Sequence, residues 1–121
     1  MPEASQKARA RNEACARSDA ALVRAFDLLG RRWTGVILGT LSGGRAGYRE
    51  LARAIDGISD SMLATRLGEL CAAGLVSRNV DEGPPLSVAY ELTEPGRALL
   101  PALEQISRWA DEHLPMPQPV V

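Results

Sequence analysis

YRELARAIDGISDSMLATRLGELCAAGLVSRNV, residues 48–80, is the stretch from which the fold is read. Tyr48, Leu51, Ala52 and Ile55 recur at helical spacing until Asp56-Gly57-Ile58 interrupts the pattern. Ser59 then stands where a helix N-cap belongs, its hydroxyl suited to accept from a backbone N–H of the first turn. Beyond it Leu63, Leu67 and Leu70 fall on one side of a helix that Gly74 ends, while Ser61, Met62, Thr65 and Arg66 share much of the other. Two short helices joined by so tight a turn make a helix-turn-helix. In that motif the second helix enters the DNA major groove, its N-terminal residues nearest the base edges.

The flanks extend the motif. Leu75–Val80 and Leu86–Leu92 alternate with period two, and Asp81-Glu82-Gly83-Pro84-Pro85 between them forms a turn. A hairpin directly after the second helix makes a winged helix. Thr93 caps a long last helix striped by Leu99, Leu103, Ile106 and Ala110, with Pro95 tolerated in its first turn. Upstream, Trp33, Val36, Ile37, Thr40 and Leu41 follow helical spacing to a stop at Ser42-Gly43-Gly44. Before them Leu22, Ala25, Phe26 and Leu29 share the face of a helix that starts near Ala20 and ends at Gly30. Residues 1–19 lack an apolar period and read as a loosely ordered arm, residues 20–114 as the winged helix-turn-helix domain, and residues 115–121 as a mobile tail. The expected fold class is mainly α with a small β hairpin. Its first and last helices expose more apolar surface than one small domain covers (Leu99, Leu100, Leu103, Ile106 and Trp109 in the last), which predicts a homodimer.

Composition narrows the function. Five aromatic residues leave Leu, Ala, Val and Ile to fill the core, and Cys15 and Cys71 make no disulfide framework. The longest charge-free run, Trp33–Gly44, is too short for a bilayer, and no basic-then-apolar leader opens the chain. The expectation is a cytoplasmic protein without a membrane partner. Net charge is −1, but it is uneven: residues 31–80 carry seven basic and four acidic side chains, residues 81–121 two and seven. Screening lets the positive centre attract a polyanion despite the acidic C-terminal part. Thirteen of the fourteen basic residues are arginine, suited to bidentate phosphate or guanine contacts, although a high-GC genome gives the same bias. No Cys/His zinc spacing, no phosphate-cradling glycine loop and no nucleophile with a base occurs, so neither enzyme activity nor a cofactor or metal is expected.

The candidate contacts to double-stranded DNA are Ser59, Ser61, Met62, Thr65 and Arg66 on the second helix of the motif, Arg45 and Arg49 beside its first helix, and Arg78 and Asn79 near the wing. Each has an ordinary alternative: Arg66 as a solvated arginine pairing with Glu69 at i+3, and the other arginines in solvent. Asp60, Asp81 and Glu82 repel phosphate. They keep open a second reading, a winged helix that binds another protein instead of DNA.

Four stretches, in order, resemble the HxlR family of bacterial winged-helix regulators: Asp27-Leu28-Leu29-Gly30-Arg31-Arg32-Trp33-Thr34; Tyr48-Arg49-Glu50-Leu51; Ile58-Ser59 through Met62-Leu63, Arg66-Leu67, Glu69-Leu70 and Gly74-Leu75-Val76 to Arg78; and Pro84-Pro85 with Val88-Ala89-Tyr90-Glu91-Leu92-Thr93-Glu94-Pro95-Gly96. The resemblance covers roughly residues 20–113 and implies a homodimer, paired through its first and last helices on an inverted-repeat operator. A small-molecule effector is a further expectation, in a pocket beside Trp33 and Ile37, although Trp33 is otherwise a core anchor. The chain departs from the family pattern in four places. Ala20 replaces a frequent sensor cysteine, Gly47 and Asp60-Ser61 replace frequent basic residues, and one extra residue follows the prolines.

Overall fold

The computed structural model describes residues 2–117, and these divide after Thr34 into two compact units. The first is a single helix, α1 (Pro2–Leu29), with the turn that follows it. The sequence places the start of this helix near Ala20 because nothing before that shows an apolar period. The structure carries it back to Pro2, because residues 5–14 are mostly Ala, Arg, Gln, Lys and Glu, whose intrinsic helix preference needs no buried face. Nearly all of its described side chains are exposed, Leu22, Val23 and Phe26 among them. Gly30 ends it, its N–H donating to the Phe26 carbonyl at 2.8 Å.

The second unit takes up α2 (Thr34–Leu41) from its second residue and continues with β1 (Ala46–Gly47), α3 (Tyr48–Ala54), α4 (Asp60–Ala72), β2 (Val76–Asp81), β3 (Ser87–Leu92) and α5 (Glu94–His113). It is mainly helical with a small antiparallel sheet, as expected, but the sheet has a third strand. β1 pairs with β3 through Ala46↔Tyr90 and Gly47↔Ala89, giving the order β1-β3-β2. A two-residue strand has no alternation to detect, so only the pairing reveals it.

Ile37, Leu38, Leu41, Leu51, Ile55, Leu63, Leu67, Leu70, Val76 and Leu92 are the core. In α2 the buried phase is Thr34, Ile37, Leu38 and Leu41; of the Trp33-Val36-Ile37-Thr40-Leu41 stripe read from the sequence, Ile37 and Leu41 are buried, Trp33 and Thr40 are half-buried and Val36 is exposed. Thr34–Leu41 is apolar almost all round, so its spacing fits two phases equally well.

The join between α4, the hairpin and α5 is tightly specified. Gly74 has φ +78° and ends α4, while Leu75 N–H donates back to the Leu70 carbonyl at 3.0 Å, a left-handed helix stop. The Thr93 hydroxyl accepts from Gly96 N–H at 3.2 Å and donates to the Gly74 carbonyl at 2.6 Å, so one side chain caps α5 and ties it to the end of α4. Gly96 is buried, and a Cβ there would collide with the Leu75 carbonyl. Of the residues read as a tail, 115–117 carry no regular structure and 118–121 lie outside the described residues, as Met1 does at the other end.

Candidate nucleic-acid interface

α4 is held from beneath and from both ends. Leu63, Leu67 and Leu70 are at most 1% exposed, which fixes the rotation of the helix. Ser59 caps it as expected, accepting from Met62 N–H at 3.1 Å. The Tyr48 hydroxyl of α3 donates to the Asp60 carbonyl at 2.6 Å and so sets the spacing between the two helices of the motif. Desolvation, then the Asp60 carboxylate and Tyr90, push the Tyr48 phenol above its ordinary pKa, so it remains a neutral donor. α3 is oriented in turn by Glu50, whose carboxylate accepts from Gly47 N–H at 3.3 Å.

The candidate residues then separate. Ser61 and Thr65 are exposed on the outer face of α4, Ser59 is exposed at its cap, and Met62 is half-buried at the edge of that face. The Ser59 and Ser61 hydroxyls lie 3.3 Å apart. Arg45 is exposed just before β1, and Arg49 on α3. Arg49 lines a depression of about 380 Å³ with Tyr48, Ala52, Arg53 and Asp60, between the two helices of the motif. Arg53 belongs with these residues and was missed by sequence reasoning. Its signal is the i, i+4 spacing from Arg49, which puts two guanidinium groups on one side of α3.

Arg66 is placed differently. Its side chain is 15% exposed, and it donates to the Glu69 carboxylate at 2.8 Å. It therefore braces α4 from the flank and is not the outward-reaching arginine that its helical position suggested. Asn79 donates to the Glu91 carboxylate at 3.0 Å across the hairpin and is half-buried. Arg78 is exposed on the opposite face of β2, directly across from Tyr90. Beyond Val76↔Leu92 the hairpin becomes progressively exposed, and Asp81 at its tip accepts from Gly83 N–H at 3.1 Å.

The two residues expected at a ligand pocket are placed otherwise. Ile37 is 0% exposed in the core, and the half-buried Trp33 ring lies under the Arg32 guanidinium, 4.8 Å from its centroid. A groove of about 680 Å³ runs instead between α2 and α5, lined by Gly35, Val36, Gly39, Leu100, Leu103 and Ile106, with Ser42, Ser107 and Glu104 at its polar positions. The α2 side that opens into it is the one opposite the buried phase. Among the described residues no cluster of His, Cys, Asp or Glu is placed to hold a metal, and no helix is long and apolar enough to cross a membrane.

The HxlR-like helix-turn-helix pattern matches residues 28–118, more than half of the chain. The chain belongs to the HxlR family. YodB, an HTH-type transcriptional regulator of Bacillus subtilis, is 42% identical over 88 residues, covering 73% of this chain and 79% of YodB. The reduced form of YodB superimposes with a TM-score of 0.73 at 39% identity, covering 78% of this chain and 92% of that one. Quinone-bound YodB gives 0.68 at 39% identity, with 77% and 98% covered. This HxlR-family protein is accordingly a helix-turn-helix transcription regulator, with the winged architecture read from its sequence.

Proposed function

We propose that this HxlR-family chain binds an inverted-repeat operator in double-stranded DNA as a homodimer, with α4 of each protomer in the major groove. The observation that carries this reading is the construction of α4. Three buried leucines, a Ser59 cap and the Tyr48 bond hold the helix rigidly, and its outer face is left uncovered beside Arg49 and Arg53. A rigid helix next to guanidinium groups suits base readout on one side and phosphate anchoring on the other. Arg78 is exposed on the hairpin, which Asn79 steadies through Glu91, and is a further candidate for phosphate, while Arg45 lines a separate depression with Glu91, Arg97 and Leu100 and is a weaker one. Phosphate contacts make binding salt-dependent. In a titration on a duplex selected by the protein and on a random duplex, at two salt concentrations, the selected duplex binds more tightly and both weaken as salt rises. Equal, salt-insensitive binding would favour the protein-binding reading that Asp60, Asp81 and Glu82 keep open.

Dimerisation is supported by apolar side chains exposed in each unit: Leu22, Val23 and Phe26 on α1, and Ile106 and Trp109 on α5. The α2–α5 groove has the volume of a small-molecule site and is our candidate for an effector, in a family where YodB is solved with quinone bound. We place the protein in the cytoplasm with its DNA.

The chemistry of sensing is not assigned to a thiol. Cys15 is exposed on α1, five residues from the Ala20 position where the family pattern has cysteine, and Cys71 is half-buried on α4. Burial pushes the Cys71 thiol above its ordinary pKa, with Arg78 opposing, which reduces the reactive thiolate. Replacing both cysteines with Ser is expected to leave DNA affinity and its response to diamide unchanged in a binding assay. A diamide response that disappears with Cys15→Ser alone would assign the sensor to that residue.

A further inference from the structure

The exposed positions of α4 are Asp60, Ser61, Ala64, Thr65, Gly68 and Ala72. Asp60 lines the depression shared with Arg49 and Arg53. The other five recur at i, i+3, i+4, i+7 and i+11, a single narrow stripe opposite Leu63, Leu67 and Leu70. This stripe holds no Arg, Lys, Asn or Gln, the side chains that read guanine or adenine bidentately. Two other candidate base contacts with long polar side chains are held in bonds of their own: Arg66 lies on the Glu69 carboxylate within α4, and Asn79 of the hairpin is bonded to Glu91. What the stripe offers is two hydroxyls, Ser61 and Thr65, and three methyl groups, those of Ala64, Thr65 and Ala72, of which Ala72 stands at the C-terminal end of α4, away from the N-terminal residues that come nearest the base edges. A major groove displays one apolar feature, the 5-methyl group of thymine.

From this composition we infer that α4 reads its operator through thymine 5-methyl groups packed against Ala64 and Thr65, with Ser61 and Thr65 hydroxyls at neighbouring base edges, and not through an arginine on guanine. The inference rests on the placement of α4 in the major groove. Small side chains let the helix approach the base pairs closely. Gly68 continues the stripe to two turns from Ser61, with nothing within 4 Å of the position its Cβ would take. Arg49 and Arg53 on α3 then supply phosphate affinity while α4 supplies discrimination.

Deoxyuridine in place of thymine removes only the methyl group and leaves base pairing intact. Thr65→Ser removes only a methyl group from the protein, and Ala64→Gly removes the other. The full-length chain selects duplexes from a random-sequence pool, and thymines of the selected site are replaced one at a time. The expected result is an affinity loss of about fourfold for each contacted methyl group, the worth of one buried methyl. Thr65→Ser or Ala64→Gly alters both protomers of the homodimer and should lose about the square of that factor on the thymine duplex, and no further loss should follow when deoxyuridine is placed at the matching position of either half-site. Full affinity for every deoxyuridine duplex, with preference over random DNA retained, overturns methyl readout and leaves α4 in the groove. Methyl losses that are additive with both substitutions overturn the assignment to Ala64 and Thr65. Absence of any preferred sequence, with salt-insensitive binding, overturns the DNA reading and this inference with it.

Discussion

α4 and α5 are both long helices with one face uncovered, but the two uncovered faces differ in kind. The outer stripe of α4 is Ser61, Ala64, Thr65, Gly68 and Ala72, while α5 leaves Ile106 and Trp109 exposed, the latter at 54%. Small, weakly polar side chains give little area to a protein partner and a close approach to a rigid groove. Large apolar ones are costly in water and are covered best by another protein surface. The same 121-residue chain thus presents one face suited to a nucleic acid and one suited to a second copy of itself.

The contrast breaks most severely if the inner face of α4 is damaged, because both outer faces depend on the core beneath. Leu67→Ala is expected to cost about 2–5 kcal/mol by urea denaturation, since Leu67 is 1% exposed and the neighbours close a cavity only partly. A loss below 1 kcal/mol would mean that α4 is not locked as described. Next in size is the α5 face. Trp109→Glu is expected to convert a dimer into a monomer of 13.0 kDa in sedimentation, with the fold intact by circular dichroism. A dimer unaffected by that charge would place the protein interface away from Trp109.

A smaller change sharpens the contrast on α4 itself. Gly68→Ala meets nothing within 4 Å and replaces glycine inside a helix, so the folded protein should gain roughly 0.5–1 kcal/mol. If the stripe lies against base pairs, the added methyl group weakens binding to the selected duplex although the protein is more stable. Stability and affinity moving in opposite directions separates a contact surface from an ordinary exposed face. Affinity that is unchanged or improved would remove Gly68 from the DNA surface. Arg66→Ala is a poorer probe. It takes the guanidinium away from Glu69, so any loss of binding mixes lost contact with a disturbed flank.

What could be read in the sequence was whatever depends on local rules. Ser59, Gly74 and Thr93 act as caps and stops wherever they stand between periodic segments, and the spacing of Leu63, Leu67 and Leu70 admits one helical phase. The hairpin follows from period two on either side of a Gly-Pro-Pro turn. Features that depend on a distant partner were not legible. β1 exists only because Ala46 and Gly47 meet Tyr90 and Ala89. The phase of α2 is ambiguous in an almost wholly apolar segment, which is why Ile37 was expected at a pocket and is found in the core. Position alone made Arg66 outward-facing. Its bond to Glu69, open as an alternative in the sequence, is settled only by the half-buried environment both residues share. Arg53 was legible as the i+4 neighbour of Arg49, but its place in the depression beside Asp60 needed α3 and α4 together.

If α4 and the adjoining arginines of α3 form the DNA surface, Arg49 and Arg53 carry part of the dependence of affinity on salt. The logarithm of the binding constant is measured against the logarithm of salt concentration for the unaltered protein and for Arg49→Ala/Arg53→Ala, on selected and random duplexes. The slope is expected to fall by about one for each lost phosphate contact, about four for a dimer, with a similar loss on both duplexes and sequence preference retained. An unchanged slope in a folded double variant would contradict the account and move the DNA surface away from α3 and α4.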